Sequence, residues 1–130
     1  MTDAIPSEAR IRATIHDYVR SFTERDRQLW LGVFAPDGVQ EDPIGDPALV
    51  GLEKIGSFWD KAFAANRRIE LTSREVYVCQ NEAAMVWTIT LETSAGALRR
   101  FSGVDIFTFD VDARIRNVRA FWQRNMVEKL

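Results

Sequence analysis

The chain has 130 residues, 46% hydrophobic and 28% charged, with a formal net charge of −2 and one cysteine, Cys79. That length supports a single domain over residues 1–130 with its own core, the composition excludes intrinsic disorder, and no apolar run approaches the roughly 20 residues needed to span a bilayer. A mildly negative chain has no general attraction to phosphate backbones, so neither nucleic acid nor a membrane is an expected partner.

The opening Met1-Thr-Asp-Ala-Ile-Pro6 lacks the basic start and apolar core of a secretion leader, and a lone cysteine cannot form an internal disulfide; a cytoplasmic location is expected. Ser7 reads as an N-cap, after which Ile11, Ile15, Tyr18 or Val19, and Phe22 recur at helical spacing to about Arg25. A second short helix is expected from Leu29 to Phe34 after Asp26, with Pro36-Asp-Gly38 as a turn. Val39 to Asp42 can form only a brief strand, because Pro43, Gly45 and Pro47 break the next segment into a loop. A third helix fits Leu52 to Asn66, with Ile55, Phe58, Trp59, Ala62 and Phe63 facing inward.

From Arg68 the pattern changes to period two. Strands are expected near 68–79, 83–93, 97–110 and 113–124, joined by Gln80-Asn81, Ser94-Ala-Gly96 and Asp110-Val-Asp112. Three helices followed by a long, mostly antiparallel sheet make an α+β domain whose sheet buries one face beneath the helices. The arginines gathered near the end (Arg99, Arg100, Arg114, Arg116, Arg119, Arg124) read as a solvated face or an interface rim.

Two carboxylic acids stand out. Asp105 lies in the apolar run Phe101-Ser-Gly-Val-Asp-Ile-Phe-Thr-Phe109 and shares a strand face with Phe101, Gly103, Phe107 and Phe109, where a buried acid resists ionising. Asp42 precedes Pro43 at the end of the brief strand. With Tyr18 they form a workable acid-base set, in which Asp42 acts as base while the Tyr18 hydroxyl and a protonated Asp105 donate to an oxyanion. Taken singly, Asp42 also reads as a turn residue and Tyr18 as a core residue, and the apolar neighbours Val104 and Ile106 leave open which face of the strand meets a cavity. One histidine and one cysteine offer no metal-ligand spacing, and His16 stands roughly 200° around the helix from Tyr18, as a surface residue.

The segment Glu41-Asp-Pro-Ile-Gly-Asp-Pro-Ala-Leu-Val-Gly51 resembles the Glu-Asp-Pro-Phe-Gly-x-Pro loop of bacterial Δ5-3-ketosteroid isomerases, and the likeness extends over nearly the whole chain. In that resemblance Tyr18 matches the oxyanion tyrosine, Asp42 the proton-shuttling base and Asp105 the protonated acid, while Ala120-Phe-Trp122 and Ser57-Phe-Trp59 match a pocket-lining strand and an aromatic pair. The resemblance implies the cone-shaped α+β fold shared with nuclear transport factor two, an apolar cavity, a homodimer, and a steroid substrate bound without a cofactor. By the same resemblance Phe58, Trp59, Trp87, Phe101 and Trp122 are expected to wall the substrate. The sequence departs from the family at Phe34 and Trp59, where members can carry supporting tyrosines. Because one fold hosts many chemistries, two other readings stand: a polyketide cyclase-like enzyme, or a non-catalytic module that binds a hydrophobic ligand.

Overall fold

The computed structural model describes residues 4–130, so the reading of the leader falls partly on residues 1–3, outside the described residues. Helix α1 (Glu8–Glu24) starts where the Ser7 side chain accepts the Arg10 N–H at 3.2 Å. It ends at Arg25, whose left-handed φ of 51° lets the Arg25 and Asp26 N–H groups bond back to the Phe22 and Ser21 carbonyls. Its buried residues Ile11, Ile15, Tyr18 and Phe22 form one stripe, and each large apolar side chain so buried contributes about 1.5–3 kcal/mol.

Helix α2 (Arg27–Gly32) begins two residues before the expected Leu29, because Asp26 is its N-cap and accepts the Leu29 N–H at 3.0 Å. It stops at Gly32, and Phe34 opens strand β1 (Phe34–Glu41) instead of closing the helix. The expected turn at Pro36-Asp-Gly38 is a bulge within this strand. β1 advances from Phe34 to Val39 while the opposing strand advances only from Ile115 to Asn117, and the surplus residues are thrown out of the ladder. Pro36 has no N–H to lose there, and a Cβ on Gly38 would sit 3.0 Å from the Ala35 carbonyl oxygen.

The two-residue strand β2 (Leu49–Val50) pairs back on β1 and leads into helix α3 (Leu52–Ala65). Strands β3 (Asn66–Cys79), β4 (Glu82–Thr93), β5 (Leu98–Phe109) and β6 (Ile115–Phe121) follow as an antiparallel meander, close to the expected bounds. The last strand ends at Phe121, short of the expected residue 124, and a 3-10 turn (Arg124–Met126) leads to β7 (Glu128–Lys129) beside β5. The sheet order is β2-β1-β6-β5-β4-β3, and the β1–β6 pairing is parallel. This is the expected α+β class, three helices on a mixed, mostly antiparallel sheet.

One end of the space between the layers is solid. Trp30 is fully buried there, with ring centroids 4.9 Å from Phe34, 5.0 Å from Tyr18 and 5.5 Å from Trp59. The other end, lined by Ile89 and Phe101 among others, is hollow. No helix of the described residues is long and apolar enough to cross a membrane.

Candidate active site

Alternation along β5 places Asp105, Phe107 and Phe109 on the buried face, and Asp105 is only 3% exposed. Its partner comes from β4. Trp87 stands opposite Gly103, and its indole lies across that glycine: a Cβ there would come within 2.6 Å of the indole Cζ2 and 2.5 Å of the Phe121 carbonyl oxygen. The close approach lets Trp87 Nε1–H donate to Asp105 Oδ1 at 2.9 Å. From α1, Tyr18 brings its hydroxyl oxygen to 3.3 Å from the other oxygen, Oδ2.

Asp42 follows the last residue of β1, whose parallel pairing with β6 sets it beside the chain leaving that strand. Trp122 Nε1–H donates to Asp42 Oδ1 at 2.6 Å. The same indole packs 4.7 Å from Phe101, which meets Trp87 edge-on at 5.6 Å. Tyr18, Asp42, Asp105 and these aromatics line one cavity of about 200 Å³. Its remaining walls are mainly hydrocarbon: Ile69 and Leu71 of β3, Ile89 and Leu91 of β4, and Phe58 of α3.

The two carboxyl groups are driven apart in acidity. Burial, chiefly, and then the charge of Asp42 raise Asp105 to about 8 against the opposing hydrogen bonds from Trp87 and Tyr18. Burial also raises Asp42, but the Trp122 N–H holds it at about 6. Asp46 pushes Asp42 further up, and Arg124, bonded to Asp46 at 2.7 and 3.2 Å, pulls it back. At neutral pH Asp42 is therefore mostly ionised and Asp105 mostly protonated. Burial, followed by the charges of Asp105 and Asp42, keeps the Tyr18 phenol protonated well above its usual range.

Seven of the eight residues singled out in the sequence meet in this cavity: Tyr18, Asp42, Phe58, Trp87, Phe101, Asp105 and Trp122. Trp59 does not. It is 4% exposed and packed in the core against Phe63 at 4.5 Å and Phe22 at 5.3 Å, because the 100° step between successive helix residues turns it away from the wall that Phe58 forms. Two roles went unread in the sequence, the indole N–H bonds from Trp87 and Trp122 to the carboxyl groups, although both tryptophans were expected as walls. Gln40 was also missed. It is fully buried two positions before Asp42, where its amide helps to lower that carboxyl although neither amide atom makes a well-formed hydrogen bond among the described residues. The described residues hold no group of three His, Cys, Asp or Glu side chains able to bind a metal ion, and His16 is exposed and lies outside this cavity.

Residues 15–118 match the SnoaL-like domain. The chain is 29% identical over 115 residues to a steroid Δ-isomerase of Nocardioides simplex, covering 88% of this chain and 90% of that one. It superposes with a TM-score of 0.84 and 27% identity on the Mycobacterium tuberculosis protein RV0760c, solved in complex with estradiol-17β-hemisuccinate, over 92% of this chain and 98% of that one. The Δ5-3-ketosteroid isomerase of a Mycobacterium species shares the fold at a TM-score of 0.84 and 23% identity, over 93% of this chain and 98% of that one.

Proposed function

This chain belongs to the SnoaL-like domain family, and we propose that within it the protein is a cofactor-independent steroid Δ-isomerase, converting 3-oxo-Δ5-steroids to 3-oxo-Δ4-steroids. The observation that carries this reading is the convergence of Asp42, Tyr18 and Asp105 on one apolar cavity, where burial raises Asp42 to about 6 and Asp105 to about 8. The similarity to the Nocardioides simplex isomerase supports it, as does the steroid held by RV0760c.

The steroid enters with its 3-oxo group toward Tyr18 and Asp105. Asp42 removes a proton from C4, which lies between a carbonyl and a double bond and is acidified by both. Negative charge then collects on the carbonyl oxygen. Asp105 Oδ1 accepts the Trp87 N–H, which leaves Oδ2 to carry the acid proton, and once the Tyr18 O–H turns from Oδ2 to the substrate oxygen two O–H donors converge on the developing oxyanion. Donors fixed in a dry site need no reorganisation as the charge appears, and one such donor is worth about 2.7–4 kcal/mol of barrier. In ketosteroid isomerases the acid kept neutral by an apolar site is the known device, here supplied by burial of Asp105. Asp42 then returns the proton at C6, moving the double bond into conjugation.

The test is ultraviolet absorbance of the protein mixed with 5-androstene-3,17-dione, because the conjugated product absorbs where the substrate does not. A saturable rise is expected, with Asp42→Asn losing most turnover while still binding steroid. Full turnover in that variant removes Asp42 as the base. A second part of the proposal is a homodimer through the outer sheet face, supported by the apolar row Val86, Val104 and Phe121, paired side by side across β4, β5 and β6. Phe121 is 43% exposed in the single chain.

A further inference from the structure

A second, outer cavity of about 490 Å³ adjoins the first and shares Asp42, Phe58 and Trp122 with it. Its chemistry is different. Helix α3 contributes Lys54, Ser57 and Lys61, which recur at three- and four-residue steps on the face that carries Phe58, and Arg124 enters from the turn after β6. Arg124 is matched by Asp46 at 2.7 Å, so those two charges cancel locally. Lys54 and Lys61 have no carboxylate within ion-pair distance among the described residues, whereas nine of the chain's arginines and His16 do. The inner cavity thus suits a ring system made almost wholly of hydrocarbon. The outer one opens next to it with two ammonium groups two helical turns apart, which outweigh the ionised Asp42 on the shared wall and leave the lining with one net positive charge.

We propose that Lys54 and Lys61 form an anion-binding end of the substrate site, and that the preferred ligand is a steroid whose end remote from the 3-oxo group carries a carboxylate or sulfate on a short arm. This rests on the steroid isomerase reading and names the substrate class within it. The ring system fills the inner cavity, the arm passes the Phe58 and Trp122 side chains, and the anion sits between the two lysines. Exposed charge pairs are individually weak, so the lysines discriminate between ligands while the hydrocarbon supplies most of the affinity.

The experiment compares two 3-oxo-Δ5-steroids that differ only in charge, a 17β-hemisuccinate and its methyl ester. The ratio of their KM values is read within each protein, so any general loss of activity cancels. The free acid is expected to have a KM lower than the ester's by about three- to tenfold at low salt, the range set by two exposed ion pairs, with the gap shrinking at high ionic strength. In K54Q/K61Q the ratio should fall to about one, and in K54E/K61E it should invert, with circular dichroism verifying the fold. Equal KM values in the unaltered protein overturn the proposal, and so does a preference that survives in K54Q/K61Q. Quenching of tryptophan fluorescence by the corresponding 4-en-3-one pair reads the same charge preference without turnover. A protein that prefers the acid in binding but isomerises neither compound therefore refutes the isomerase reading and keeps the anion site.

Discussion

At the scale of single residues, the division of labour between two aspartates follows from what surrounds each. In the proposed mechanism Asp42 works ionised and Asp105 protonated, so kcat/KM should be bell-shaped, with an acid limb near 6 and a basic limb near 8. Trp122→Phe keeps a ring against Phe101 but removes the N–H that lowers Asp42, and initial-rate pH profiles should show the acid limb moving upward while the basic limb stays. Asp105 also bears on stability. Its folded value of about 8 lies above the ordinary 3.8, so the folded state holds the proton more tightly. Stability from this group is complete below about pH 4 and is lost as pH rises through 8. Asp105→Asn keeps an acceptor for Trp87 and never ionises; thermal melts should place it level with the unaltered protein near pH 4 and above it at pH 9, even as turnover falls. The acids were legible in the sequence because an aspartate among phenylalanines is chemically conspicuous. The indole donors were not, since a tryptophan that walls a cavity and one that also holds a carboxylate look alike until nonlocal pairing brings Trp122 to Asp42, 80 residues away.

Among the elements, those set by their own period could be read from the chain and those set by a partner could not. The phase of α1 and the three hairpins of the meander are local properties, and they match expectation. The bulge at Pro36-Asp-Gly38 is defined by the register of β6, and β2 and β7 are two-residue strands with no periodicity to detect. Phe58 and Trp59 diverge for a similar reason: both face inward from α3, and only the position of α2 decides which of them meets the core and which the cavity. The β4–β5 pair supplies the element-scale prediction. Gly103→Ala puts a methyl group into the Trp87 indole and the Phe121 carbonyl, so it should destabilise the fold by about 1–3 kcal/mol in denaturant titrations. It should also slow turnover more than it weakens steroid binding, because displacing the indole releases the Oδ1 atom of Asp105.

For the whole molecule, the mixed sheet has two faces with separate tasks. The inner face, with Trp87, Phe101 and Asp105, walls the cavity; the outer face presents the row Val86, Val104 and Phe121. Placing a charge in that row tests the assembly: Val104→Arg is expected to give a monomer by sedimentation velocity where the unaltered protein sediments as a dimer, and an unaltered monomer at micromolar concentration would refute the homodimer. The parallel pairing of β1 with β6 also bears on when the site is assembled. Asp42 follows the first strand, its tryptophan partner follows the sixth, and the Tyr18–Asp105 bond joins α1 to β5 across 87 residues. Such long-range closure makes folding slow relative to a chain of local contacts. It also means that a growing polypeptide carries every helix before it owns a working site. The cavity is complete only once β6 lies between β1 and β5, so a refolding experiment that follows enone formation is expected to lag behind one that follows helix signal.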